Sequence, residues 1–375
     1  MTRVDQISVE GLAGRTKPIT IDLDPDMNVF FGLNGTGKTS LLKILYSAIR
    51  NRTEMLQGVS FESATVKLFS HQDGKAITRT ISASDLNLED DSTAYYVDEE
   101  GDRIRLASAA SSRWKASPAR ETGPYAATFL TTSRLAVSGR NQRVHSRSVE
   151  TLADETIDER FAEEVQLLWR RYTNKTLSDV RQIQQAGLAQ ILQSLFSDSF
   201  VPHPEELDAR TAYFRSKEFL RRQGVVTKET LKSFTAHYAE DARLASIVHE
   251  IDSIERRIES AEEPRRKLQE LVGSFVGGKQ IEFSDRAIEV QAGDTPIPLT
   301  TLSSGEKQLV RIFIDVINAG VSTIIIDEPE LSMHIDWQRE LLASLRTVNP
   351  DAQIIVATHS PEIMAHVQDS KIFRL

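Results

Sequence analysis

A chain of 375 residues is long enough to bury the core of one large α/β domain with an insertion, or of two modest domains. Its 54 acidic and 45 basic residues give a formal net charge of −9, which argues against a surface that is basic all over. Cysteine is absent, which excludes disulfides and thiolate chemistry. Because no apolar run approaches the ~18 residues of a membrane span, we expect a soluble, cytoplasmic protein.

The first informative segment is residues 32–39, Gly-Leu-Asn-Gly-Thr-Gly-Lys-Thr, which fit the pattern G-x-x-x-x-G-K-[ST] at every fixed position. They follow a strand-like segment, 28–31, and precede a helix-like segment, 38–49, as a phosphate-binding loop does. Backbone amides of such a loop wrap a phosphate chain, Lys38 can reach the β- and γ-phosphates, and Thr39 can bind Mg²⁺. The residues predicted to bind ATP here are Asn34, Gly35, Thr36, Gly37, Lys38, Thr39 and Ser40.

The next feature is a local reversal of charge over residues 103–147, which hold nine arginines and lysines against one acid, Glu121. Nucleic-acid phosphates or an acidic partner protein could bind such a stretch. A solvated loop whose few arginines serve the ATP site explains it equally well. Because the strand-like segment 126–130 precedes Arg134, we expect Arg134 near the nucleotide.

From about residue 151 to 275 the apolar residues follow helical spacing, which predicts a helical insertion. Residues 244–275 fit an a/d heptad, and Pro264 is expected to break or kink that helix. A helix of ~30 residues spans only ~45 Å, so the pattern indicates a short arm rather than a long coiled coil. The arm could pack on a neighbouring helix, or contact a partner or a second copy.

Residues 280–299 return to strand-like patterns and lead into Leu302-Ser303-Ser304-Gly305-Glu306. This segment opens a helix predicted over 306–318 and ended by Gly320. A helix N-terminus attracts phosphate, so Ser303 and the amides near Gly305 are candidates for a phosphate contact.

Two buried strands complete the set of motifs. The first, 323–326, ends in Asp327-Glu328-Pro329-Glu330, which places Asp327 to bind Mg²⁺ with Thr39 and Glu328 to position or deprotonate the attacking water. The second, 353–357, ends in Thr358-His359-Ser360-Pro361, where Ser360 can cap a helix and hold His359 toward the γ-phosphate. The predicted catalytic residues are therefore Lys38, Glu328 and His359, and the predicted metal ligands are Thr39 and Asp327.

In this order the motifs resemble those of the ATP-binding-cassette class of ATPases, in the soluble branch that holds structural-maintenance-of-chromosomes (SMC) and RecF-type proteins. Residues 327–338 are most similar to bacterial defence ATPases of the overcoming-lysogenisation-defect type. The resemblance implies an α/β head with a parallel sheet, an antiparallel strand subdomain and a helical insertion. It implies one composite ATPase domain from lobes 1–150 and 276–375, interrupted by the insertion at 151–275.

The resemblance also implies that two copies enclose ATP head to tail. Ser303, Ser304 and Gly305 of one copy would contact the γ-phosphate held by Lys38 of the other, and residues 332–334 would signal across the interface. Residues 1–29 lack the aromatic side chain on which transporter cassettes stack adenine, so Arg15 or Lys17 is expected to contact the nucleotide. No glutamine follows segment 126–130, and whether Thr132 or Ser133 takes the role of the missing loop glutamine stays open.

Three functions follow from these observations. The first is a cytoplasmic ATPase that acts as sensor or scaffold of a bacterial defence system, with a separate nuclease or toxin as effector. Such ATPases often carry a nuclease domain after the last strand, which is predicted here at 371–375 and leaves no room for one. We therefore expect the cutting activity in another polypeptide. The second is a RecF-like ATPase acting on DNA, and the third, disfavoured, is a transporter subunit. The expected partners are a second copy, an effector and either a nucleic acid or a phage protein, but no membrane.

Overall fold

A computed structural model describes residues 2–71, 74–86, 95–97, 103–105, 114–118, 123–131, 152–196 and 207–375. The strands of these segments are β1 (Thr2–Glu10), β2 (Ile19–Asp22), β3 (Met27–Phe31), β4 (Ser63–Ser70), β5 (Lys75–Ser82), β6 (Tyr95–Val97), β7 (Arg103–Arg105), β8 (Lys115–Ser117), β9 (Ala127–Thr131), β10 (Gln280–Phe283), β11 (Ile288–Ala292), β12 (Thr295–Ile297), β13 (Thr323–Asp327), β14 (Ile354–Thr358) and β15 (Ile372–Arg374). The helices are α1 (Lys38–Arg50), α2 (Ala83–Leu86), α3 (Leu152–Phe196), α4 (Ala209–Arg222), α5 (Leu231–Glu240), α6 (Ala242–Phe275), α7 (Ser304–Ala319) and α8 (Ile335–Val348).

Five strands form a parallel sheet in the order β15-β3-β14-β13-β9. Every residue of β13 and β14 is buried, as expected of parallel strands covered on both faces. Asp327 lies beside Thr131 of β9, and Thr358 lies beside Phe31 of β3. The carboxyl ends of four strands therefore meet at one edge, where the phosphate loop begins.

A second, antiparallel sheet has the order β2-β1-β4-β5-β8. Strands β4 and β5 pair from Ser63 opposite Ser82 to Ser70 opposite Lys75. Three short strands, β10, β11 and β12, form a further sheet before α7. Parallel and antiparallel sheets with interspersed helices confirm the predicted α/β class.

Helix α1 lies between the two main sheets. Its buried side chains, among them Leu41 and Leu45, share one hydrophobic core with Ile7 of the antiparallel sheet and with Ile325 and Ile355 of the parallel sheet. Burial of apolar surface is the main favourable term in folding, at about 25 cal/mol per Å². The first turn of α1 is therefore held by packing on both sides.

The chain divides into two compact units. The first comprises Met1–Leu168, Leu271–Glu282 and Glu289–Leu375, and it contains both main sheets. The second comprises Trp169–Glu270 and Phe283–Ile288, and it is largely helical.

Within the second unit, α3 and α6 approach closely, because a Cβ added to Gly187 would lie 2.4 Å from the side chain of Ile254. Helix α6 has 34 residues, which corresponds to ~50 Å, and it continues through Pro264. Of the two outcomes expected at this proline, the break is therefore wrong, and the kink stays a prediction. Ile258 and Leu268, on either side of it, are fully buried, and their packing outweighs the lost backbone hydrogen bond.

Trp114 is buried, although it lies in the basic stretch 103–147 between Arg113 and Lys115. Its side chain is 2% exposed, and its indole N–H donates to Ser47 Oγ at 2.9 Å. This tryptophan belongs to the core beside α1, because its large apolar ring gains more from burial than a surface position offers. Arg134, Thr132, Ser133 and the arginines at 140, 143 and 147 lie outside the described residues.

Arg79 of β5 is a fully buried arginine at the end of α1. Its guanidinium donates to the carbonyl oxygens of Ala48, Ile49 and Gly123, with 3.0 Å between Nη1 and the Ile49 oxygen. It also lies over the ring of Tyr125, 5.1 Å from the centroid. A cation at a helix C-terminus is stabilised by the helix dipole, so Arg79 fixes the end of α1.

We expect Arg79→Met to lower the free energy of unfolding by about 2–4 kcal/mol, because it leaves buried carbonyl groups without donors. Urea unfolding followed by circular dichroism measures the loss. Arg52→Met, at an exposed arginine just past the same helix, is the matched control and should change stability by less than about 0.5 kcal/mol. Equal effects of the two substitutions would contradict this role of Arg79.

Candidate functional site

The phosphate loop, residues 32–39, joins β3 to α1 and curves around the ammonium group of Lys38. Gly35 and Gly37 have φ of 81° and 93°, a left-handed conformation that glycine adopts without strain. Lys38 is 5% exposed, and its Nζ donates to the carbonyl oxygens of Gly32 at 2.8 Å and Leu33 at 2.9 Å. The lysine charge is thus held inside the curve in which the phosphates are predicted to bind.

Two neighbouring segments support this loop. A Cβ on Gly32 would lie 2.7 Å from the carbonyl oxygen of Leu375, so only glycine fits there. Arg15 Nη2 donates to the carbonyl oxygen of Thr36 at 3.3 Å. Of the two residues considered for the nucleotide contact, Arg15 is therefore the one that touches the loop, whereas Lys17 is exposed. A contact between Arg15 and the nucleotide stays a prediction.

The carboxylate of Asp327 and the hydroxyl of Thr39 form a pair at the sheet edge. The Thr39 hydroxyl favours the ionised form of the Asp327 carboxylate, and Asp327 is 7% exposed. The pKa of Asp327 is raised to about 6: burial is the largest cause and the charge of Glu328 adds to it, while Thr39, Lys38 and Lys43 oppose the shift. Asp327 Oδ1 has no hydrogen-bond partner among the described residues. A buried carboxylate oxygen without a donor, beside a hydroxyl group, fits the oxygen ligands that Mg²⁺ requires.

Glu328 follows Asp327 in a left-handed conformation, with φ of 52°. Non-glycine residues in this region cost of order 1–3 kcal/mol and persist where the surroundings determine them. Here the amide of Glu328 donates to the carbonyl oxygen of Ala357 at 2.8 Å. The turn leaves the carboxylate about one-third exposed at the sheet edge, with Oε1 4.0 Å from His359 Nδ1.

His359 lies at the end of β14, beside both β13 and β3. Its ring is 40% exposed, and Nδ1 is 3.0 Å from Oε1 of the buried Glu330. As predicted, the Ser360 side chain caps the next turn by accepting from the amide of Glu362, although that turn, Pro361–Met364, is a 3₁₀ helix. The tip of β14 therefore brings His359 next to Glu328 and the end of β3.

Ser303 forms the N-cap of α7 in a capping box. Its amide donates to Glu306 Oε2 at 2.7 Å, its hydroxyl accepts from the Glu306 amide at 3.3 Å, and Lys279 Nζ lies 2.6 Å from the same Oε2. Burial of Glu306 opposes its ionisation, but these donors prevail and lower its pKa. Ser303 and Ser304 are exposed at the first turn of α7.

The start of α7 packs directly against residues 329–332. A Cβ on Gly305 would lie 2.4 Å from the carbonyl oxygen of Ser332, so this contact requires glycine. Gln308 Nε2 donates to the carbonyl oxygen of Pro329 at 2.8 Å. The loop after β13, in which Ser332 has φ of 64°, is thereby tied to the predicted phosphate-contacting segment.

The structure thus gathers Thr39, Asp327, Glu328 and His359 at one edge of the parallel sheet, next to the phosphate loop. The roles of these residues and of Ser303, Ser304 and Gly305 stay predictions. Sequence reasoning missed Glu330 and Gln338, which contact the His359 segment. The one available signal was the third acidic residue of Asp-Glu-Pro-Glu, which no periodicity distinguishes from a solvated carboxylate.

Among the described residues, no cluster of three or more potential metal-ligating side chains occurs. Within the same part of the chain, no helix is both long and apolar enough to cross a membrane.

A protein-family model described as "AAA domain, putative AbiEii toxin, Type IV TA system" matches residues 217–365. Two relatives with curated descriptions are similar over shorter stretches. "Retron Vc95 probable ATPase" of Vibrio cholerae serotype O1 biovar El Tor is 22% identical over 170 residues, which cover 39% of this chain and 33% of that protein. "Retron Ec83 probable ATPase" of Escherichia coli is 25% identical over 99 residues, which cover 23% and 18%. The matches therefore span a third or less of either relative.

Among solved structures, the SMC head domain of Pyrococcus furiosus bound to the C-terminal domain of ScpA aligns with 97% of this chain and 92% of its own. The TM-score is 0.42 and the identity 13%. The SMC head domain of Thermotoga maritima aligns over 96% and 91%, with a TM-score of 0.40 and 12% identity. The family-model match and the two ATPases support the predicted ATPase activity.

Proposed function

We propose that this chain binds ATP with Mg²⁺ and hydrolyses it at the carboxyl edge of the parallel sheet. The observation that carries this proposal is the pairing of Asp327 with Thr39, next to a phosphate loop that encloses the Lys38 ammonium. Lys38 and the loop amides would bind the phosphates, and Thr39 with Asp327 would hold Mg²⁺. The metal would neutralise charge on the β- and γ-phosphates.

In this reaction a water oxygen forms a bond to the γ-phosphorus while the bond to the β–γ bridging oxygen breaks, which yields ADP and phosphate. Glu328 is the candidate that orients the water and accepts its proton, since its carboxylate is partly exposed at the same edge. His359 is the candidate that contacts the γ-phosphate, because its ring lies beside Glu328 at the tip of the neighbouring strand.

The proposal includes a head-to-tail dimer in which Ser303, Ser304 and Gly305 of one copy complete the ATP site of the other. The exposed hydroxyl groups at the first turn of α7 support it, because a helix N-terminus attracts a phosphate. Apolar side chains near the two parts of the site also support it. Leu33 on the phosphate loop is 81% exposed, and Leu331 after β13 is 40% exposed. A second copy would remove both from water.

We further propose that the ATPase serves as sensor or scaffold of a bacterial defence system, with a nuclease or toxin as a separate effector chain. The family description, which names a toxin and a toxin–antitoxin system, and the similarity to retron ATPases support this role. So does the resemblance of residues 327–338 to defence ATPases.

The first prediction for the proposed ATPase activity concerns the candidate catalytic carboxylate, Glu328. We expect Glu328→Gln to keep ATP binding and to lower turnover by about 10²–10⁴, the usual contribution of a general base. Phosphate release and equilibrium ATP binding measure the two effects separately. Glu289→Gln, at an exposed carboxylate on β11, is the control and should leave both unchanged.

The same measurements test the phosphate loop, because Lys38→Ala should abolish ATP binding by removing the cation inside the loop. ATP affinity equal to that of the wild type in this variant would contradict the assigned site.

The second prediction concerns the composite site. In a mixture of Lys38→Ala chains with Ser303→Arg chains, the mixed dimer keeps one intact site, formed by Lys38 of one chain and Ser303 of the other. We expect the mixture to regain part of the ATPase activity that each variant lacks alone. Ser303→Ala, which loses the cap without adding bulk, controls for destabilisation of α7. An inactive mixture in which mixed dimers are shown to form would argue against the shared site.

The third prediction concerns the effector. When the chain is expressed with its neighbouring genes, we expect it to purify in a complex of fixed stoichiometry with one of their products. The ATPase alone should hydrolyse ATP slowly and leave DNA and RNA intact. The charge reversals R140E, R143E and R147E should weaken the complex or nucleic-acid binding while ATP turnover stays unchanged. Metal-dependent nuclease activity of this chain alone, lost on mutation of its own acidic residues, would overturn the proposal.

A further inference from the structure

We propose that Glu330 and Gln338 are positioning residues, which together fix the backbone and the ring of His359 for its contact with the γ-phosphate. The inference rests on the ATP hydrolysis proposed above and assigns two residues that no sequence motif singled out. It follows from the hydrogen bonds that join the loop after β13 to the segment 358–360.

The first observation is the number of donors that converge on one oxygen of Glu330. Oε1 accepts from Thr358 Oγ1 at 2.7 Å, from the His359 amide at 2.8 Å and from the Ser360 amide at 3.3 Å. The Glu330 side chain is 4% exposed and Thr358 is fully buried. Hydrogen bonds to an ionised acceptor are about twice as strong as neutral ones, so this carboxylate strongly determines the path of the backbone at His359.

The second observation is that Glu330 also contacts the imidazole ring itself. His359 Nδ1 lies 3.0 Å from Glu330 Oε1, while Glu328 Oε1 lies 4.0 Å from the same nitrogen. A carboxylate this close to Nδ1 favours the ring orientation in which Nδ1 faces Glu330, and it leaves Nε2 as the nitrogen available to a ligand. A purely structural carboxylate would satisfy the backbone amides, but it would not need this contact with the ring.

Gln338 of α8 closes the same arrangement from the other side. Its Oε1 accepts from Ser360 Oγ at 2.7 Å, and its Nε2 donates to the carbonyl oxygens of Met333 at 3.0 Å and Glu330 at 3.4 Å. One amide group therefore connects the residue after His359 with the loop that carries Glu330. Gln338 uses both ends of its side chain in this role, which a shorter or apolar residue could not reproduce.

The backbone that carries Glu330 is itself fixed. The Met333 amide donates to the carbonyl oxygen of Glu330 at 3.0 Å, and Gln308 of α7 donates to the carbonyl oxygen of Pro329, directly before it. Hydrogen bonds to the carbonyl groups of Glu330 and of the preceding residue thus fix the backbone at Glu330. Its carboxylate can therefore act as a rigid support rather than a mobile acid. A catalytic group keeps its geometry only when such a supporting shell holds it.

The test uses Glu330→Gln, which keeps the volume and an acceptor oxygen for Thr358 and the amides but removes the charge next to His359. We expect kcat for ATP to fall by about 10–100-fold, the usual effect of losing an outer-shell partner of a histidine, while KM changes by less than about 3-fold. Gln338→Leu should shift kcat in the same direction. The control is Glu340→Gln, an exposed carboxylate on the same helix as Gln338 that lies 3.8 Å from His366 Nε2.

A double-mutant cycle with His359→Ala separates positioning from general destabilisation. If Glu330 acts through His359, Glu330→Gln should lower kcat little further in the His359→Ala background. An equal fall in both backgrounds, or a kcat of Glu330→Gln equal to that of the wild type, would overturn the inference while the ATPase proposal stands. A wild-type protein without ATP turnover would instead overturn the proposed function.

Discussion

The burial of α1 between two sheets is the constraint on which the candidate site depends. The helix has apolar residues on opposite sides, and each set packs against a different sheet, so neither its axis nor its rotation is free. Gly37, directly before Lys38, therefore starts the helix at a fixed place at the edge of the parallel sheet. Arg79 fixes the other end of the same helix through its bonds to the last carbonyl groups.

The chemistry of the site comes from crowding at the strand ends. Parallel pairing places the tips of β13 and β14 next to each other, which brings Asp327, Glu328 and His359 together although His359 lies 31 positions after Glu328 in the chain. The same crowding buries Asp327 and raises its pKa, and it holds Glu328 in a strained backbone conformation. Both effects are expected where a protein arranges groups for a ligand rather than for its own stability.

Where the structure departs from local sequence signals, tertiary packing outweighs them. Trp114 lies between Arg113 and Lys115, within a stretch rich in small and basic residues, yet it is buried against α1. Pro264 is a strong local signal for a helix end, yet α6 continues through it with buried neighbours on both sides. Propensities of single residues are weak when a long-range core determines the segment.

By itself the sequence determined the α/β class, the strand–loop–helix around Lys38, the strands that end in Asp327 and Thr358, and the capped start of α7. It could do so because glycine spacing, apolar runs and capping residues are local signals. The tertiary structure alone showed that a third carboxylate, Glu330, lies beside the predicted site. Glu330 and Gln338 contact the His359 segment through side-chain bonds that span more than twenty residues, and nothing in a periodic pattern encodes such contacts. Likewise, only the position of the turn against the phosphate loop distinguishes Arg15, which contacts the loop, from Lys17, since both are cations on the same segment.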